Sequence, residues 1–170
     1  MTAFTLEPWR DFYVMIGTAS GALIGASFIV VTLSANLASR AVGIRGFISP
    51  TAGHLGTVLI GSAILAIPGI SGWAVAILLG LGGLVGAIYC SIVARRIWAM
   101  KLLIEDRLWY VLMPLAAYVI MFAAAVMIVL RIDSPLYVLA ASLIVLLIAG
   151  MRNAWDMASF MILRPPDPPQ

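Results

Sequence analysis

Five apolar stretches, each long enough to cross the hydrocarbon core of a bilayer, follow one another along this chain with only short polar breaks between them. No water satisfies a free peptide group in hydrocarbon, so such stretches are restricted to helices that bond internally or to closed barrels. The runs are continuous and do not alternate with polar residues, which selects helices. Composition agrees, because 64% of the 170 residues are hydrophobic and only 10% are charged, too few polar groups to cover a soluble domain. The expected fold class is all-α, a polytopic membrane protein forming a bundle of five transmembrane helices at about 8–39, 50–67, 72–100, 106–131 and 135–163. These make a single transmembrane domain over 1–163, followed by a short Pro-rich tail at 164–170.

Local punctuation sets the expected boundaries. Ser49 before Pro50 and Ser134 before Pro135 each offer a hydroxyl cap followed by the residue best suited to a first helical position. Pro68-Gly69 and Ser71-Gly72 separate the second helix from the third. Pro114 falls inside the fourth, where its ring is expected to kink the helix and free the carbonyl of Tyr110.

Cationic loops are retained in the cytoplasm, so Lys and Arg report orientation. Five spans place Arg40, Arg45, Arg95, Arg96, Lys101, Arg107, Arg152 and Arg164 on one side, and only Arg10 and Arg131 on the other. The N-terminus is therefore expected outside and the C-terminus in the cytoplasm. Trp9, Tyr13, Trp73 and Tyr137 fall at the outer level and Trp98, Trp109, Tyr110 and Trp155 at the inner, as two interfacial belts. The first helix is expected to stay in the mature protein and not to act as a secretory signal, because Glu7 and Asp11 flank its single Arg10 and its apolar run exceeds a signal's core. The basic pI near 9.4 reflects this retention signal and attraction to anionic membrane lipid; it does not imply nucleic acid.

Gly17, Gly21 and Gly25 repeat every four residues on the first helix and form a groove for close helix packing. Ser20, Ser27 and Ser34 form a second stripe, expected nearly opposite, that either packs or lines a pore. Small residues recur at Gly53, Thr57 and Gly61 and at Gly72, Ala76 and Gly80, favouring a compact bundle and self-association.

Ionisable groups within spans are costly and therefore informative. Arg152, Asn153 and Asp156 follow a long apolar run in the fifth helix and lie either at the cytoplasmic interface or inside the membrane. His54 and Arg40 are the candidate partners at that level. His54, Arg152, Asn153 and Asp156 make the expected ion or gating cluster.

Enzymatic readings fail on geometry. Gly69 to Gly72 resembles the nucleophile string of rhomboid-type intramembrane proteases, but His54 lies roughly 25 Å from Ser71 along the helix rise. Ser71 reads as a turn residue. One His and one Cys, Cys90, supply neither a metal site nor a disulfide within a chain, so no catalytic residue, metal or cofactor is expected.

Trp9-Arg10-Asp11-Phe12, the run Gly21 to Ser34 (GALIGASFIVVTLS) and Asn153-Ala154-Trp155-Asp156 resemble a broad group of small bacterial multi-span proteins, some of them labelled FtsH-protease modulator-like. The resemblance implies a bacterial inner-membrane protein and transfers no binding or catalytic residue. The polar stripe of the first helix and the charged or titratable groups at the cytoplasmic end of the bundle give the functional expectation, a non-enzymatic homo-oligomeric channel or transport protein. The alternative is an accessory or regulatory subunit packed against a larger membrane complex through the Gly17, Gly21 and Gly25 groove.

Overall fold

A computed structural model describes residues 5–37, 41–98 and 107–163 of the chain. A single 3-10 turn, Glu7–Trp9, leads into α1 (Arg10–Leu37). It is followed by α2 (Ala41–Leu65), α3 (Gly72–Trp98), a π-helical turn (Leu108–Leu112) that continues directly into α4 (Met113–Val129), and α5 (Pro135–Leu163). Four of these units are long and apolar enough to cross a membrane: Glu7–Val30, Gly72–Arg95, Leu108–Val129 and Pro135–Asp156. A shorter apolar stretch, Pro50–Leu65, lies on α2.

Side-chain contacts fix the register. On α1 and α2, Gly17 seats Ser62, Gly21 faces Leu59, and the Ser20 hydroxyl donates to the Leu55 carbonyl at 2.7 Å. Ascending residues on one helix meet descending residues on the other, so the pair is antiparallel. Gly80 facing Ala125 and Gly86 seating Tyr118 make α3 and α4 antiparallel in the same way. The fifth helix lies between these two hairpins. It meets α2 through Gly61 against Leu143 and Gly150 against Leu55. It meets α4 where Ser142 donates to the Ala117 carbonyl at 2.8 Å, and α1 where the Tyr13 hydroxyl donates to the Leu136 carbonyl at 3.2 Å. Leu139, Leu143 and Leu146 are consequently buried in the common core with Val58, Met121 and Ala124. The outward faces are apolar as well, with Ile77, Leu81, Val85 and Ile88 exposed along α3. An apolar exterior on this scale suits lipid and not water.

Two boundary expectations are corrected. Helix α2 begins at Ala41, so Pro50 stands inside it and Ser49 does not cap its start. Proline there removes the bond to the Gly46 carbonyl without ending the helix, a defect that surrounding packing tolerates. Ser134 precedes α5 with a left-handed φ of 65°, not the extended backbone of an N-cap. Arg131 likewise has φ 55°. It follows α4 at the position glycine usually takes, and bonds from Ile132 N–H to the Met127 carbonyl and from Arg131 N–H to the Ile128 carbonyl close a Schellman turn. Ser71, expected as a turn residue, caps α3 by accepting the Ala74 N–H at 3.2 Å.

The fourth helix meets its proline with a π turn. Before Pro114 the backbone widens into the π turn, and the Met113 N–H reaches back five residues to the Leu108 carbonyl. One residue more per turn makes room where the ring would otherwise strike the preceding carbonyl.

Glycine on α3 sets how near α4 comes. A Cβ on Gly83 would lie 2.8 Å from the Phe122 nitrogen and 2.9 Å from the Tyr118 carbonyl oxygen, backbone atoms that cannot turn aside. Gly83→Ala should therefore destabilise the bundle by about 1–3 kcal/mol, as overpacking does. Gly25→Ala, with open space at its Cβ, should stay within about 0.5 kcal/mol of the parent. Thermal unfolding in detergent, followed by thiol-reactive dye at the buried Cys90, measures both.

Candidate functional site

Polar side chains in an apolar bundle need partners, and most here use the backbone. Thr18, Ser27, Thr32 and Ser91 each donate to the carbonyl four residues earlier at 2.8 Å. Of the serine stripe of α1, Ser20 and Ser27 both spend their hydroxyls on backbone carbonyls. Ser20 is buried in the α1–α2 seam beside Gly17, contrary to the expected placement on opposite sides, because about 300° of helical advance from Gly17 brings it within about 60° of that residue. Ser27 is half-buried and bonds to its own helix. The Ser34 side chain lies outside the described residues. Of the glycine groove, Gly17 and Gly21 are used within the chain, whereas Gly25 faces open space.

The expected cluster of His54, Arg152, Asn153 and Asp156 divides into two environments. Arg152 and Asp156 lie half-exposed on α5 with Nε and Oδ2 3.8 Å apart, a separation at which a surface pair contributes little. The Arg152 guanidinium also covers the Trp109 ring at 4.8 Å from its centroid, a cation–π contact of about 0.5–1 kcal/mol that ties α5 to the π turn. Arg40 lies outside the described residues.

His54 and Asn153 instead point inward, each only 1% exposed. His54 Nδ1 lies 3.0 Å from the Tyr118 hydroxyl of α4, which is 3.2 Å from Thr57 Oγ1 of α2. Thr57 in turn bonds to the Gly53 carbonyl at 2.9 Å. On its other side the Tyr118 ring rests on Gly86 of α3, where any Cβ would overlap it. Tyr118 thus fills the gap between α2 and α3 and links three helices.

This arrangement follows from the register. At the Trp9 end of the bundle Gly61 of α2 meets Leu79 of α3 directly. About two turns farther toward the Trp109 end, His54 and Gly86 occupy the corresponding positions, and Tyr118 is interposed between them. Sequence reasoning missed Tyr118. Its only signal was a hydroxyl-bearing ring in mid-helix together with small residues on the preceding helix.

Two polar groups remain without hydrogen-bond partners among the described residues in this region: His54 Nε2 and both polar atoms of the Asn153 carboxamide. Buried orphans of this kind cost about 1–3 kcal/mol each and therefore call for an explanation. The aromatic residues expected in an outer belt also separate. Tyr13 is fully buried, while Trp9 packs edge-on against the exposed Tyr137 ring with centroids 4.6 Å apart. Among the described residues no group of three His, Cys, Asp or Glu side chains is placed to hold a metal ion.

Compared with family models, curated proteins and solved structures, the chain matches none. The site's geometry therefore carries the functional reading by itself.

Tyr118→Phe should lower unfolding stability by about 1–3 kcal/mol, since it leaves His54 Nδ1 buried without its partner. Tyr137→Phe, at an exposed ring, should stay within about 0.5 kcal/mol. Paired thermal melts read the difference.

Proposed function

We propose that this chain is a small non-enzymatic transport protein of the bacterial inner membrane, with five spans, its N-terminus outside and its C-terminus cytoplasmic. The single observation that carries this reading is that His54 Nε2 and the Asn153 carboxamide are buried without hydrogen-bond partners among the described residues, in a bundle whose core is mainly apolar. Ionisable and polar groups held in that setting are costly and mark substrate or ion paths. The orientation rests on the excess of Lys and Arg in alternate connections. In this arrangement the Trp109 end is cytoplasmic, and the site lies in the inner half of each protomer.

Placing the site within the bundle modifies the expected channel. Conduction between protomers along a serine stripe has little support, because Ser20 is used in packing. Arg152 and Asp156, half-exposed beside Trp109, serve as an anchor at the inner interface.

A second reading, as an accessory subunit, draws on the exposed small residues Ala22, Gly25 and Ala26 of α1. Backbones approach closely over such a surface, whether the neighbour is another copy or a different protein. Native mass spectrometry of the gently solubilised particle separates the two. A single homo-oligomer supports transport by an independent protein, and a stable heteromeric assembly supports the accessory role.

Topology is checked by cysteine labelling in a Cys90→Ala background. Asp133→Cys should react with a membrane-impermeant maleimide in intact cells and Lys101→Cys only after permeabilisation; the reverse pattern would invert the orientation. In proteoliposomes, Asn153→Leu should slow proton or ammonium flux by at least about tenfold, equivalent to losing one hydrogen bond of about 1.4 kcal/mol in the transport step. Asp156→Asn should leave flux within about twofold, as expected of an interfacial group. Equal flux through parent and Asn153→Leu would remove the site from the mechanism.

A further inference from the structure

With all three contacts around Tyr118 made as hydrogen bonds, one donor order places the proton on a single nitrogen of His54. A carbonyl only accepts, so in the 2.9 Å contact between Thr57 Oγ1 and the Gly53 carbonyl the threonine donates its single hydrogen. Thr57 must then accept in its 3.2 Å contact with the Tyr118 hydroxyl, and Tyr118 spends its own hydrogen there. With that hydrogen committed, the 3.0 Å contact between Tyr118 and His54 Nδ1 has the imidazole as donor. In the neutral ring an Nδ1–H leaves Nε2 as a bare lone pair. All three bonds run in one direction, from His54 to the Gly53 carbonyl, and such chains polarise one another so that the lone pair becomes a stronger acceptor.

Helix geometry directs Asn153 toward the same seam. On α5, Ser142 bonds to α4 and Gly150 seats Leu55 of α2. At about 100° per residue these positions are about 80° apart around the helix, and Asn153 falls between them, about 20° from Ser142. It therefore faces the cleft between α2 and α4 that the His54–Tyr118 bond crosses. Gly150 against Leu55 also sets the level, and the rise of about 1.5 Å per residue places the Asn153 and His54 backbones within about 3 Å along the bundle axis. Side chains lean toward the N-terminus of their own helix, and the two helices are antiparallel, so the groups lean toward each other.

Resting on the transport reading above, we propose that His54 Nε2 and the Asn153 carboxamide bind one small N–H or O–H donor, of the size of ammonium or water. The lone pair and Asn153 Oδ1 accept hydrogen bonds from it, and Asn153 Nδ2 donates to it where it carries an oxygen. An anion is disfavoured because a lone pair faces it. A divalent transition metal is disfavoured because the described residues supply no set of three ligating side chains.

His54 is the only histidine in the chain, so 15N-histidine labelling reports this one ring without assignment. The protein in lipid nanodiscs, at fixed pH, is studied by 15N NMR while sodium chloride is exchanged for ammonium chloride at constant ionic strength. The expected spectrum has a protonated Nδ1 and an unprotonated Nε2. A saturable shift of Nε2 alone with ammonium identifies ammonium as the donor, whereas magnetisation transfer from water to Nε2 with no response to ammonium identifies water. Asn153→Leu should abolish either signal while Nδ1 stays protonated; loss of the Nδ1 proton would show that the variant disturbs the fold, and the parent titration then decides alone. A proton resident on Nε2, or an unprotonated Nε2 that responds to neither donor, overturns the proposal. Flux in proteoliposomes with an unresponsive Nε2 would refute this site and leave the transport reading standing. Occupancy without flux would do the opposite.

Discussion

Tyr118 holds together parts of the bundle that the helix backbones leave apart. Its ring occupies the space that Gly86 keeps free on α3, and its hydroxyl reaches His54 and Thr57 on α2. At the Trp9 end α2 and α3 meet through Gly61 and Leu79; farther along, this one side chain fills the widening gap. A ring with a polar tip suits that position, because its body packs against apolar neighbours while its hydroxyl satisfies groups that hydrocarbon would leave unpaired. The close approach of α4 to α3 over Gly83 and the seat on Gly86 are the conditions that let Tyr118 reach so far.

The same economy governs the other polar groups. Hydroxyls on α1 and α3 turn back to their own helix, and Ser20 and Ser142 tie neighbouring helices through backbone carbonyls. Against this background the unpartnered atoms of His54 and Asn153 are exceptions. Ser62 Oγ is also buried without a partner among the described residues. It sits beneath Gly17 in the α1–α2 seam, where packing accounts for its burial. What separates His54 from Ser62 is a directed chain of donors behind it.

Much of the candidate site could be read from residue types, but its grouping could not. His54 and Asn153 stood out because polar residues in apolar runs are costly. Arg152 and Asp156 stood out for the same reason, yet a 3.8 Å separation and the stacking of Arg152 on Trp109 place them in a different, half-exposed environment. Sequence proximity on one helix does not distinguish these cases, since successive residues point about 100° apart. The serine stripe misled similarly: periodicity located Ser20 on α1 but did not reveal which neighbour covered it. Pro50 read as a helix start because proline suits that position, while the observed α2 carries it internally.

The sequence by itself determined that the chain folds as apolar helices, and it placed most of them. Long uninterrupted apolar runs have few other ways to satisfy their peptide groups, and a proline or glycine acts on the backbone wherever it occurs. Which helices touch, and therefore which polar atoms find partners, was decided only by the tertiary structure. Helix α5 lies between two hairpins, α3 packs chiefly on α4, and Tyr118 spans to α2 because of small residues whose significance depends on what stands opposite them. Glycine at position 86 is a space, and only the neighbouring helix gives that space an occupant.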